Sequence, residues 1–255
     1  MGVNGMVASA HPLATLAGLE VLRDGGNAFD AIVATASTLN VVEPYMSGMG
    51  GIGVALAHVA AEGRVRALDF AGTMPGAAEP ELFNDEKMEN GILAALVPGN
   101  LAGWLTLHET YGSMDRERLF SRAIAYAEDG FPITHINSTI IGQTAHLLEP
   151  FPSSVSIILE SGKSPRPGKK LRMPQLAESF RRVAKGGLEV FYRGELGRRI
   201  VAGNNEYGGI FTEDDLASYR AEWREPISAT YRGFEVFTTP PACSSFQVLQ
   251  TLKLM

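Results

Sequence analysis

Between Asp30 and Glu43 the chain carries no charged residue. Asn27 is a good N-cap, Asp30 lies three residues on, where its charge meets exposed N–H groups, and Ala28, Phe29, Ile32, Val33 and Ala36 follow near helical spacing. The spacing predicts a helix from Ala28 to about Asn40, so poor in polar groups that it must be buried on most of its circumference. The rest of the chain therefore has to fold around it. Just before it, Pro12 to Asp24 reads as a second helix, with Pro12 suited to the first turn and Gly25-Gly26 to the stop.

Four glycines between Gly48 and Gly53 mark backbone that turns sharply or lies close to a neighbour. Val54 to Val59 and Arg64 to Phe70 then read as a hairpin, as do Ile227 to Tyr231 and Phe234 to Thr238 around Arg232-Gly233. Further helices are expected at Leu101 to Tyr111, at Asp115 to Glu128 with Asp115 as cap, and at Pro174 to Lys185. Another is expected at Thr212 to Tyr219, where Thr212 and Asp215 have capping-box spacing. Ser161 to Pro174, rich in Lys, Arg and Pro, reads as an exposed loop. The sequence alone thus describes a mixed α/β (α+β) chain without internal repeats or a Ser/Gly linker. Its last run, Phe246 to Met255, is apolar and helical and has no cap, as in a chain cut short.

Lys and Arg number 22 against 28 Asp and Glu, a net charge of −6, with no dense basic run, so nucleic acid and anionic membranes are poor partners. The lone cysteine, Cys243, excludes an internal disulfide and a Cys-rich metal cage and fits a reducing compartment. Met1 to Ser9 lacks the pattern of an export signal, and no apolar stretch is long enough to span a bilayer. A cytoplasmic location is expected; a chain that begins late in its gene would leave periplasmic or secreted locations open.

Gly48 to Gly53 satisfies G-x-G-x-x-G, and Asp69 falls where a ribose-binding acid would sit. A dinucleotide site, however, needs strand, turn, helix in that order, and here a helix precedes the glycines and a strand follows. Close backbone packing is the expected role. The five histidines show no metal-ligand spacing, and neither a metal nor another cofactor is expected. His11 is expected to organise the first helix and His58 to be a partly buried hydrogen-bonding residue. Cys243, Ser244, Ser245 and the pair Thr238-Thr239 are the nucleophile candidates, but no G-x-S-x-G accompanies them, and Cys243 reads as an inert small residue. Asn137-Ser138-Thr139 is a glycosylation sequon without an export signal.

One set of motifs goes further. Gly5 to Ala14, Gly18 to Ala31, Val41-Val42-Glu43-Pro44 with the glycine cluster, Val97 to Trp104, Ala127 to Pro132, Phe191 to Gly194, Gly208 to Leu216 and Tyr231 to Val236 occur in order along the chain. Together they closely resemble the large-subunit part of the γ-glutamyltransferase (γ-glutamyltranspeptidase) family. The resemblance implies an N-terminal-nucleophile hydrolase with a four-layer αββα sandwich, incomplete in this chain, and residues 1–255 as large-subunit region. In that family a precursor cleaves itself, and the new N-terminal threonine of the small subunit attacks an acyl amide. A free α-amine of pKa about 7.7 to 8.0 can take that threonine's proton near neutral pH. The resemblance therefore implies no catalytic residue here, a small subunit as partner, and a small-molecule amide as substrate.

It also implies pocket positions at Phe70, Ala71 and Gly72. Family members that act on γ-glutamyl groups generally carry Arg-Glu where this chain has Ala71-Gly72, and the arginine grips the α-carboxylate. Loss of one such charge-assisted bond, about 1.5 to 3 kcal/mol, weakens binding roughly 10- to 100-fold. Arg66 is a poor substitute, because strand alternation puts positions 66 and 71 on opposite faces. Three readings follow: a hydrolase or acyltransferase with an altered acyl pocket, a glutathione-type enzyme in which another basic residue serves, and a scaffold without catalysis.

Overall fold

The computed structural model describes residues 2–241 and 243–255. In chain order they form α1 (Pro12–Arg23), α2 (Ala28–Val42), β1 (Gly53–Val59), β2 (Arg64–Phe70), α3 (Asp85–Glu89), α4 (Asn100–Tyr111), α5 (Arg116–Asp129), β3 (Phe131–Pro132) and α6 (His135–Leu148). They continue with α7 (Pro152–Ile158), β4 (Lys170–Leu171), α8 (Pro174–Tyr192), α9 (Glu195–Glu206), α10 (Glu213–Ser218), β5 (Glu222–Arg224), β6 (Ile227–Tyr231), β7 (Phe234–Thr238) and α11 (Phe246–Leu254). The fold is α+β.

The uncharged helix is the centre, as its composition requires. α2 packs against α1, α4 and α5, and α5 in turn against α8. Val33, Ala34, Val41 and Val42 join Val21, Leu101, Leu105, Phe120 and Phe180 in one core. Buried hydroxyls on α2 are satisfied within the helix, Thr35 Oγ1 donating to the Ala31 carbonyl at 2.7 Å and Ser37 Oγ to that of Ala34 at 3.1 Å. Asn27 Oδ1 caps the helix, accepting from the N–H of Phe29 at 2.8 Å and of Asp30 at 3.1 Å, and Asp30 Oδ2 accepts from the Asn27 N–H at 3.0 Å.

α4 joins this helical layer to an antiparallel sheet of order β1-β2-β5. The register pairs Gly53 with Phe70, Ala55 with Leu68, and Leu68 with Trp223. Leu68 and Phe70 pack with Leu107 of α4 in a second cluster. The opposite face of β1 is open: Val54 and Leu56 are 40% and 44% exposed. His58 lies on that face too and is exposed. This corrects the expectation of a partly buried residue, since the alternation that turns Ala55 inward turns His58 outward.

The glycine cluster joins α2 to β1 by packing. The Gly51 carbonyl accepts from the N–H groups of Gly99 and Asn100, both at 2.9 Å, and Asn100 Nδ2 donates to the Gly48 carbonyl at 2.8 Å. The start of α4, which has no side-chain cap, is thus held by backbone from the turn.

Three sequence expectations change. Ser161 to Pro174 is not wholly exposed: β4 pairs with β3, and Leu171 and Met173 are buried. Their alternation with charged neighbours was masked by the prolines. Asp115 occupies the N-cap position of α5 but makes no side-chain cap bond. α8 continues past Lys185 to Tyr192 through a break at Gly187. Asn137 of the sequon is fully buried and donates to the Val42 carbonyl at 2.9 Å, so the folded chain does not offer it for glycosylation. At the end of the chain, Phe234 is 74% and Leu254 89% exposed.

Candidate functional site

The end of β2 sets the site. Strand alternation turns Phe70 inward against α4, and the chain then leaves the ladder at Ala71 and Gly72. Asp69 Oδ1 accepts from the Ala71 N–H at 3.0 Å, and the Tyr219 hydroxyl accepts from the Gly72 N–H at 3.3 Å. Gly72 has φ +81, in the left-handed region, and a Cβ there would come 2.7 Å from Ile52 Cγ2 and 2.9 Å from the Val97 carbonyl. Gly72→Ala is expected to cost about 1 to 2 kcal/mol from backbone conformation alone, lowering the melting midpoint by roughly 3 to 8 °C. A calorimetric midpoint at or above that of the unmodified chain would refute this.

Ala71 and Gly72 border a cleft of about 460 Å³, lined also by Asp69, by Tyr219 and Arg220 from the segment leading into β5, and by Glu222 and Arg224 of β5 itself. Phe70 supports this cleft from the core and does not line it. β2 and β5 bring the two segments together by pairing Asp69 with Glu222. Arg224 is compensated twice, its Nε 3.3 Å from Asp69 Oδ2 and its Nη2 3.2 Å from Glu222 Oε2. Arg220 Nη1 donates to the carbonyls of Ala217 at 2.8 Å and Tyr219 at 2.6 Å. Burial pushes the Tyr219 hydroxyl above its ordinary pKa; the Gly72 N–H opposes this and the charges of Asp69 and Glu222 reinforce it. The phenol stays protonated near neutral pH.

Arg66 is committed elsewhere. Its Nη1 donates to the Tyr111 hydroxyl at 2.8 Å, and its guanidinium sits 4.5 Å from the centroid of the Trp223 ring. Tyr219, Arg220 and Arg224 were missed in the sequence. The signal for them is the alternation of Arg220, Glu222 and Arg224 with Ala221 and Trp223, a short strand beside the already evident Asp69 strand.

Pro241 also borders the cleft, and next to it Thr239, Cys243 and Ser245 form a cluster; Ala242 of the same run lies outside the described residues. Cys243 Sγ is 2.9 Å from Ser245 Oγ and 3.0 Å from Thr239 Oγ1, and Ser245 Oγ donates to the Thr239 carbonyl at 2.8 Å. The hydrogen bonds with Ser245 and Thr239 hold the thiol below its usual pKa. No imidazole or carboxylate bonds to this cluster among the described residues, so it lacks the base a nucleophile needs. His11 serves as N-cap of α1, Nδ1 accepting from the Leu13 N–H at 3.2 Å. Among the described residues no group of three His, Cys, Asp or Glu side chains could hold a metal, and no helix is long and apolar enough to cross a membrane.

The gamma-glutamyltranspeptidase family model matches residues 14–255. The acylase ACY 1 proenzyme of Pseudomonas sp. (strain SE83) is 36% identical over 269 residues, covering 100% of this chain and 48% of the relative. The glutathione hydrolase proenzyme of Bacillus subtilis (strain 168) is 34% identical over 265 residues, covering 100% and 45%. The chain spans about half the length of these curated relatives. The crystal structure of Helicobacter pylori gamma-glutamyltranspeptidase matches with a TM-score of 0.95 at 32% identity, covering 100% of this chain and 75% of that one. Cephalosporin acylase from Bacillus halodurans matches with a TM-score of 0.88 at 35% identity, covering 93% and 46%.

Proposed function

The chain belongs to the gamma-glutamyltranspeptidase family, and from that premise we propose that residues 1–255 are the large-subunit part of an N-terminal-nucleophile amide hydrolase or acyltransferase whose acyl donor is not the γ-glutamyl group. Overall likeness does not choose the donor, since an acylase and a glutathione hydrolase match at 36% and 34% identity. The cleft must choose. What supports this reading is Ala71: by the family resemblance its position is that of the arginine that grips the γ-glutamyl α-carboxylate, and a methyl group at the cleft offers no such charge.

The attacking threonine lies, on this reading, on polypeptide beyond residue 255, and its own α-amine serves as the base. This chain supplies the support and one wall of the acyl pocket. The half-exposed apolar face of β1 and the exposed Phe234 and Leu254 offer the second subunit a surface to cover. The single cysteine favours a reducing compartment as the site of action.

The test is an assay of the natural polypeptide that contains this chain, with γ-glutamyl anilide set against the monoanilides of short dicarboxylic acids. Preference for the dicarboxylic donors is expected; clear preference for γ-glutamyl overturns the reading. Ala71→Arg, which restores the charge without touching Gly72, is expected to raise kcat/KM for γ-glutamyl anilide roughly 10- to 100-fold, the worth of one charge-assisted hydrogen bond.

A further inference from the structure

The cleft at Ala71 contains two cations and two anions, but they are not evenly matched. Both acids are turned to Arg224: Asp69 lies 3.3 Å from its Nε and Glu222 3.2 Å from its Nη2. Arg220 has no carboxylate partner among the described residues. Only its Nη1 is engaged, by the carbonyls of Ala217 and Tyr219 at 2.8 and 2.6 Å. These two bonds hold one end of the guanidinium to the backbone, while Nε and Nη2 donate to no protein acceptor among the described residues. A guanidinium so held presents a planar pair of donors in a set direction and loses little freedom when it takes up an anion.

The neighbouring phenol adds a second donor. Tyr219 lines the same cleft, and its oxygen already accepts from the Gly72 N–H at 3.3 Å, which leaves its own proton to give away. A guanidinium without a carboxylate partner and a protonated hydroxyl, lining one cleft with the small Ala71, suit a carboxylate. It does not suit an ammonium group, because both acids that could receive one are taken by Arg224.

We infer that Arg220, with Tyr219 beside it, is the specificity-determining residue of the acyl pocket, and that it binds the distal carboxylate of a short dicarboxylic acyl group that carries no α-amine. This rests on the reading of the cleft as the acyl pocket and names the chemistry of its substrate. Arg220 acts on binding; the bond that breaks is the amide at the other end of the acyl chain.

The test uses the natural polypeptide that contains this chain, with glutaryl p-nitroanilide and its neutral counterpart pentanoyl p-nitroanilide, which has the same chain length. In Arg220→Gln the ratio of kcat/KM for the glutaryl over the pentanoyl substrate is expected to fall roughly 10- to 100-fold, mostly through KM. Arg220→Lys should recover part of the loss, because a point charge remains while the planar fork is gone. Tyr219→Phe should lower the ratio less than Arg220→Gln does. An unchanged ratio in Arg220→Gln, or equal loss on both substrates, overturns the inference.

Turnover of neither anilide defeats the proposed activity and leaves the anion site to be judged by binding. Glutarate titrated calorimetrically into the same polypeptide should bind at least roughly tenfold more weakly after Arg220→Gln. Equal affinity in the two proteins, or no binding to either, overturns the site whatever the catalysis shows. Unchanged melting midpoints in the variants mark these effects as local.

Discussion

Replacing Asp30 by alanine is expected to destabilise the fold by about 4 kcal/mol, because it strands several buried donors at once. The carboxylate is fully buried and joins two regions distant in sequence. Oδ2 accepts from the Asn27 N–H at 3.0 Å and the Ser113 hydroxyl at 2.6 Å, and the Ser113 N–H lies 3.0 and 3.1 Å from Oδ1 and Oδ2. Oδ1 also accepts from the Met114 N–H at 3.2 Å. One side chain thus caps α2 and fixes the connection from α4 to α5. Asparagine keeps the shape and one acceptor oxygen, so Asp30→Asn should cost about half as much. Urea unfolding of the three proteins checks the order; a loss below about 1 kcal/mol for alanine would mean that water replaces the carboxylate.

The same group makes a pH prediction. Burial works to raise its pKa, and the Ser113 hydroxyl with the N–H groups of Asn27, Ser113 and Met114 outweighs burial, so the carboxyl is held below the usual carboxylate range. A depressed folded-state pKa contributes stability that is present above the unfolded value of about 3.9 and is lost as pH falls through the folded value. Asp30→Asn should therefore flatten the decline in stability below about pH 4, and an unchanged acid limb would count against this role.

Asp30 and Asn27 were legible in the sequence because a capping box is local: two residues within a span of four carry the whole signal. The same holds for Pro12 at the start of α1, for the hairpin turn at Arg232-Gly233, and for Thr212 with Asp215. What stayed hidden depends on distant partners. β4 exists because Leu171 finds Phe131, and β5 because Asp69 and Leu68 offer it a register. α6 starts with a capping box built from Thr134 and Asn137, with asparagine where glutamate or glutamine is the familiar sign. The site divides in the same way. Ala71 stood out only against the family pattern, and Gly72 only as its neighbour. Arg220 is far from both in sequence and joins them through the pairing of β2 with β5, which no local pattern of residues 60–75 contains.

The motif from Val97 to Trp104 was legible as a family mark but not as physics, and its physical content gives the second large effect. Gly103 and Leu107, four residues apart, share the face of α4 that meets β2. A Cβ on Gly103 would lie 2.3 to 2.6 Å from three atoms of the Phe70 ring, a distance no side chain tolerates without movement. Alanine would favour the helix by about 1 kcal/mol, but overpacking a buried ring costs about 1 to 3 kcal/mol and more where the ring has no room to turn. Phe70 is wedged between α4 and the ladder, so the steric cost prevails and Gly103→Ala should be destabilised by about 2 to 3 kcal/mol net. Phe70→Leu alone should cost about 1 kcal/mol, and in the Gly103→Ala background it should restore stability, since the shorter side chain vacates the contested space. A favourable coupling of about 1 to 2 kcal/mol in the double-mutant cycle is expected, and simple additivity would show that the ring is not what forbids the methyl group. The cleft supplies an independent readout. Phe70 is bonded directly to Ala71, so the displaced ring in Gly103→Ala should shift the cleft backbone and weaken glutarate binding, and the double variant should recover both stability and affinity.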